Sequence, residues 1–310
     1  MQIKQLLAGA VAAIILTGCG GESDKQAGKS PAASKSEAVA QAAPAAPAKP
    51  KVDPNAPTFQ ILPAPPALAA DTHFTKIEGG SELAYLYNAH SDAPVTVPEF
   101  IDSWGSGISL SNAGFLTGDE AIDSLMRKYG ETSDQFKQHD IAKQIEPLYQ
   151  AHLDASKQIR YVEVTLPPQA TLKGYDFATK AFPFPLSAFN DYHYMTKQER
   201  DNFIRGSITR PETRGSISWS RPNRYSLSFT NGKQFQSLVV EDEAKAREIE
   251  ALISSRKPMN ITVFGYLDSL QTGQESISDG FRTSLIKITK LVIREGDEKG
   301  KILLSVDAKA

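Results

Sequence analysis

Five histidines carry most of the acid–base capacity of this 310-residue chain: His73, His90, His139, His152 and His193. Only His139-Asp140 and Asp191-Tyr192-His193 put an imidazole close in sequence to a carboxylate. On a strand, Asp191 and His193 would project from one face, where they could hold a metal or exchange a proton. In a tyrosine-rich loop the same two residues make an ordinary surface pair. His152 falls on an apolar helical face and reads as a core residue satisfied by its neighbours. A nucleophilic serine would sit in G-x-S-x-G, which is absent; Gly105-Ser106-Gly107 reads as a loop. There is no H-E-x-x-H, no cysteine-based zinc set, no EF-hand loop and no glycine-rich phosphate loop. Neither a metal nor a cofactor is expected from these patterns, and no catalytic set emerges.

Two further groups could bind rather than react. Arg210, Arg214, Arg221 and Arg224, with Trp219 and Tyr225 among them, could meet an anionic envelope polymer, although strand alternation leaves only some on one face. Arg221 and Arg224 join Asp191 and His193 as binding candidates. Phe177, Phe182, Phe184, Phe189, Tyr192 and Tyr194 could line a groove for a peptide, glycan or lipid, and core packing explains them equally well. The formal net charge of −2, with Lys and Arg spread along the chain, gives no electrostatic hold on nucleic acid.

These residues need elements to position them. Ile122, Leu125, Met126 and Tyr129 recur at i, i+3, i+4 and i+7, which predicts a helix over 119–129, with Thr117 as N-cap and Gly130 as its stop. A second helix is expected over 133–156, broken or kinked near Pro147. Shorter helices are expected at 82–88 after Ser81, at 97–104 with Pro98 in the first turn, at 197–204, and at 241–255. Tyr161 to Leu166 alternates as a strand, Tyr175–Phe177 and Ala181–Phe182 suggest a further pair, and Asn231-Gly232 suggests a hairpin between strands at 225–230 and 235–240. Long strands at 260–270 and 282–295 and a last one at 302–306 follow. The expected class is α+β: a helical N-terminal half of the body followed by a small curled, mainly antiparallel sheet with one packed helix, with 59–205 helix-rich and then mixed and 206–310 an antiparallel β domain with one helix.

Ahead of the body the composition changes twice. Residues 19–58 are rich in Ala, Pro, Ser, Gly and Lys, and cannot bury enough apolar surface to offset their ordering entropy. They read as a tether reaching about 35 Å as a coil and roughly 120 Å if fully extended. Residues 1–18 carry Lys4 and then an uncharged apolar stretch from Leu6 to Leu16, too short for the roughly 20 residues that span a bilayer. Leu16-Thr17-Gly18-Cys19 resembles the bacterial lipobox, and Cys19 is the single cysteine, so no intramolecular disulfide is possible. The resemblance implies cleavage between Gly18 and Cys19, a diacylglyceryl thioether on Cys19 and an acylated α-amine. Such multiple chains anchor stably where one holds only marginally. Removal of Lys4 with the signal would take the net charge from −2 to −3. By analogy with enteric bacteria, Gly20 in place of an aspartate favours the outer membrane.

The body also resembles Gram-negative lipoproteins of unknown function, through Tyr129 to Ala142, Tyr175-Asp176-Phe177 and Glu241 to Ile253. The expectation is an envelope lipoprotein, anchored through palmitate-type chains, that binds another envelope protein or a glycan without catalysis. The alternatives are a periplasmic hydrolase with a carboxylate-based site and a structural accessory of a secretion or adhesion assembly. Convergent carboxylates in a cleft would favour the hydrolase; a shallow aromatic groove would favour binding.

Overall fold

The structure, a computed structural model, describes residues 56–105, 110, 117–209, 211–273 and 282–309. Gly18, Cys19, the tether up to residue 55, Ser106 and Arg210 lie outside them. The body begins with strands β1 (Thr58–Ile61) and β2 (Thr75–Ile77). Four helices follow: α1 (Gly80–His90), α2 (Val97–Trp104), α3 (Glu120–Glu131) and α4 (Gln135–Ser156). Then come β3 (Tyr161–Thr165), β4 (Ala181–Pro183), α5 (Lys197–Ile204), β5 (Ile217–Ser218), β6 (Tyr225–Phe229) and β7 (Ser237–Val239). The chain closes with α6 (Glu243–Ser254), β8 (Met259–Thr272), β9 (Arg282–Glu295) and β10 (Ile302–Asp307).

The spine is the antiparallel pair β8 and β9, in register from Met259↔Glu295 to Thr272↔Arg282. Each is long enough to carry two short strands on its outer edge. β3 and β1 occupy successive stretches of β8, and β6 and β10 successive stretches of β9. Bulges at Phe264/Gly265 and Leu267/Ser269 bend the pair. At the first bulge a Cβ on Gly265 would stand 2.5 Å from the Lys287 carbonyl oxygen, so only glycine fits.

This arrangement overturns the expected α+β layout. Eight strands form one curled mixed sheet, β4 and β7 pair separately, and the six helices among the described residues are interleaved with strands. The cause is topological. β2 pairs β3 in parallel, and a parallel pair needs a long crossover. The segment from α1 to α4 is that crossover, so helices that read as a separate half are an insertion between neighbouring strands. β6 also pairs β9 in parallel. The expected Asn231-Gly232 hairpin does not form: residues Gly232–Phe235 make a 3-10 turn, β6 joins the large sheet and β7 pairs β4.

Local chemistry explains the helix ends. α2 and α5 start in full capping boxes, Thr96 with Glu99 and Thr196 with Glu199. α3, α4 and α6 start on Asp119, Asp134 and Asp242, whose carboxylates accept two backbone N–H groups each. α3 runs through Gly130 to Glu131, and α4 runs through Pro147. Buried Ile145, Tyr149 and Leu153 on either side of that proline hold α4 together despite the lost hydrogen bond. Leu83, Leu86, Phe100 and Ile101 are fully enclosed, each stabilising by about 1.5–3 kcal/mol. Asn88 pins this helical layer to the sheet, donating to the Ala84 carbonyl and the Tyr225 hydroxyl (2.8 Å each) while accepting from the Val95 N–H (3.0 Å).

Candidate functional site

A groove forms where the chain turns at Tyr175–Phe177 against α6. Asp176 closes the turn: its carboxylate accepts from Ala178 N–H (2.9 Å) and Thr179 Oγ–H (2.8 Å), and its backbone pairs with Ala181. These bonds draw its carboxyl below the usual range, the Thr179 hydroxyl first. The neighbouring Tyr175 is fixed at both ends. Its N–H donates to Glu250 Oε2 (2.8 Å) and its hydroxyl to the Val240 carbonyl (2.8 Å). Phe177 packs edge-on to Tyr175 (5.1 Å between centroids) yet stays 82% exposed at the tip.

The facing wall is one stripe of α6: Glu243, Ala246, Arg247, Glu250, Ala251 and Ser254, spaced as one helical face. Ile249 and Leu252, off that stripe, are buried in the core, and Ala246 at its edge is buried with them. The groove encloses about 320 Å³, within the range of small-ligand pockets, and its lining is mostly apolar. Its charges are already engaged: Arg247 pairs with Glu243 (3.7 Å), and Glu250 also accepts from Ser254 Oγ–H (3.2 Å). No histidine lines it.

A larger cleft of about 600 Å³ lies at the C-terminal end of α6, between residues 165–172 and 253–260. A third, of about 470 Å³, contains Trp219 with Lys76, Glu78 and Glu298. There two carboxylates converge on one ammonium, Lys76 Nζ lying 2.7 Å from Glu78 and 2.8 Å from Glu298. Two converging carboxylates are what a carboxylate-based hydrolase would use. A hydrolase of that kind needs one carboxyl to keep its proton near neutrality. Lys76 does the reverse, holding Glu298 below the usual carboxylate range.

Asp191 and His193 do not meet as a dyad. Asp191 pairs with Lys233 (2.5 Å), and His193 Nε2 lies 3.4 Å from Glu199 in α5. The histidine that does engage an aspartate is His152, whose Nε2 is 2.9 Å from Asp119 Oδ2 and whose ring stacks on Tyr85 at 4.5 Å. Asp119 Oδ1 accepts at the cap of α3 while Oδ2 engages His152, so the pair fastens α3 to α4. The His152 bond, with the cap, draws the Asp119 carboxyl below its usual range.

Among the arginine candidates, Arg214 is likewise used locally. Arg214 lies over the Tyr192 ring (5.1 Å) and donates to the Phe229 carbonyl (3.3 Å). The Arg224 carbonyl accepts from Arg282 N–H (2.9 Å), and Arg221 and Arg224 are both half-buried. Of the aromatic series, Phe182, Phe184 and Phe189 are core, and only Phe177 enters the groove. The segments Tyr175–Phe177 and Glu241–Ile253, separate in sequence, supply its two walls. Among the described residues no group of three or more His, Cys, Asp or Glu side chains is arranged to hold a metal ion. No described helix is long and apolar enough to cross a membrane. Comparison with protein-family models, with curated proteins and with solved structures finds no match to this chain.

Proposed function

We propose that the chain is an envelope lipoprotein, held on a membrane, the outer one by preference, through acyl chains on Cys19. Its body binds another envelope component, a protein or a glycan, in the groove between Phe177 and α6. The observation that carries the binding half is an exposed aromatic ring beside an apolar wall whose charges are already paired among themselves. Such a surface gains by excluding water from Phe177 and has no unsatisfied acid or base to offer a reaction. The anchoring half rests on Leu16-Thr17-Gly18-Cys19 following an apolar run.

The two halves are tested separately. Cells growing on labelled palmitate should label the protein and not its Cys19→Ser variant; continued labelling of that variant contradicts the anchor. Affinity capture of the lipidated protein from envelope extracts should recover a component that Phe177→Asp loses at least tenfold. Equal recovery by the variant removes the groove from the account.

A further inference from the structure

The cleft at the end of α6 differs from the Phe177 groove and the Trp219 cleft in the charge it carries. Arg256, Lys257 and Asn260 line it, and no carboxylate does. Its walls are apolar, supplied by Leu166, Leu172, Ile253, Pro258 and Met259 among others. Like several other exposed cations of the described residues, Arg256 and Lys257 take part in no ion pair, which leaves both charges open to a ligand. Acidic residues lie around the rim of the lining rather than in it: Glu295 and Asp297 flank Gly296, Met259 pairs with Glu295 across the strands, and Glu298, already paired with Lys76, reaches the lining through Thr165 (3.3 Å).

A second observation points the same way. The backbone of Arg256 has φ of 53°, one of two non-glycine residues in the left-handed region among those described. It occupies the position just after α6 where Lys257 N–H returns to the Leu252 carbonyl and Arg256 N–H to Ile253. Helices ending this way take glycine there, because any side chain is strained. An arginine pays that strain for no intramolecular ion pair. It adds an arginine, next to Lys257 in the chain, to the lining of the cleft.

We propose that this cleft binds an amphipathic anion, a molecule with an apolar body and a phosphate or carboxylate head. The body would lie along Leu166, Leu172, Ile253 and Met259, and the head would meet Arg256 and Lys257, with Asn260 as a further polar contact. A planar guanidinium suits two oxygens of one head group, and the ammonium adds a point charge. The proposal is independent of the Phe177 groove and of the lipid on Cys19.

Methionine makes the test specific. The mature chain from residue 19 contains only Met126, Met195 and Met259, and of these only Met259 lines the cleft. Titration of the mature Cys19→Ser chain, labelled at its methionine methyls, with dodecyl phosphate below its micelle concentration should shift the Met259 signal and leave Met126 and Met195 in place. Inorganic phosphate, lacking the apolar body, and dodecyl maltoside, lacking the charge, should each bind at least tenfold more weakly. If phosphate alone binds as tightly, the site takes a free anion and the apolar half fails; if the maltoside does, the anionic half fails.

Arg256→Gly separates ligand binding from folding. It should hold or raise Tm, because glycine relieves the strained backbone, while dodecyl phosphate affinity falls at least tenfold. Lys287→Ser, at an exposed cation outside the cleft, should change neither quantity. An unmoved Met259 signal, or unaltered affinity in Arg256→Gly, overturns the proposal.

Discussion

The two ends of α6 serve two kinds of surface. Along its length, Glu243, Arg247 and Glu250 face Phe177 with their charges satisfied by one another or by Tyr175 and Ser254. At its C-terminus, Arg256 and Lys257 line a mostly apolar cleft, and neither has an ion pair among the described residues. A surface whose charges are internally paired selects by shape and apolar contact. A surface with unpaired cations selects by charge, and loses affinity as salt screens it. One helix can support both because its buried side, Ile249 and Leu252, is locked into the core.

The comparison breaks most readily at that shared support. Ile249→Ala should cost about 2–5 kcal/mol in urea unfolding, since Ile249 is fully enclosed. A loss below about 1 kcal/mol would mean that α6 is not the common wall. A reference far from both surfaces is Asp119→Ala, which removes the α3 cap and the His152 bond together and should cost about 1–2 kcal/mol at neutral pH. Because the folded protein lowers the Asp119 carboxyl, its stabilisation is present above the unfolded pKa and is lost as pH falls through the folded one. Unfolding measured from neutrality to about pH 2 should therefore show the gap between wild type and variant closing on acidification. A gap constant with pH would remove the carboxylate from the explanation.

Smaller effects sharpen the groove itself. Tyr175→Phe deletes the hydroxyl bond to Val240 and should cost about 1 kcal/mol while loosening the wall that carries Phe177. Phe177→Ala should alter stability by no more than about 0.5 kcal/mol, because the ring is mostly in solvent, while weakening partner capture. A large stability loss from that substitution would make Phe177 a packing residue.

Which parts were legible in the sequence follows from which forces are local. α2 occupies the expected residues because proline in the first turn, an apolar face and a following glycine all act within one segment. β9 likewise spans the expected Arg282–Glu295. The parallel pairings of β2 with β3 and β6 with β9 join residues dozens of positions apart, and no local pattern encodes them. The same holds for chemistry. Asp191 and His193 stand two apart yet turn to different partners, while Asp119 and His152 are 33 apart and bond. Arg256 gave no signal at all, since an arginine after a helix looks ordinary until its φ is known.

Photo-crosslinking in living cells would show whether the Phe177 groove meets a partner. A photoreactive phenylalanine analogue would replace Phe177 in one strain and Phe136, equally exposed at 84% but outside the groove, in another. The account predicts one discrete adduct from position 177 and none from 136. Equal adducts from the two positions, or none from 177 with the lipidated protein present, would contradict it.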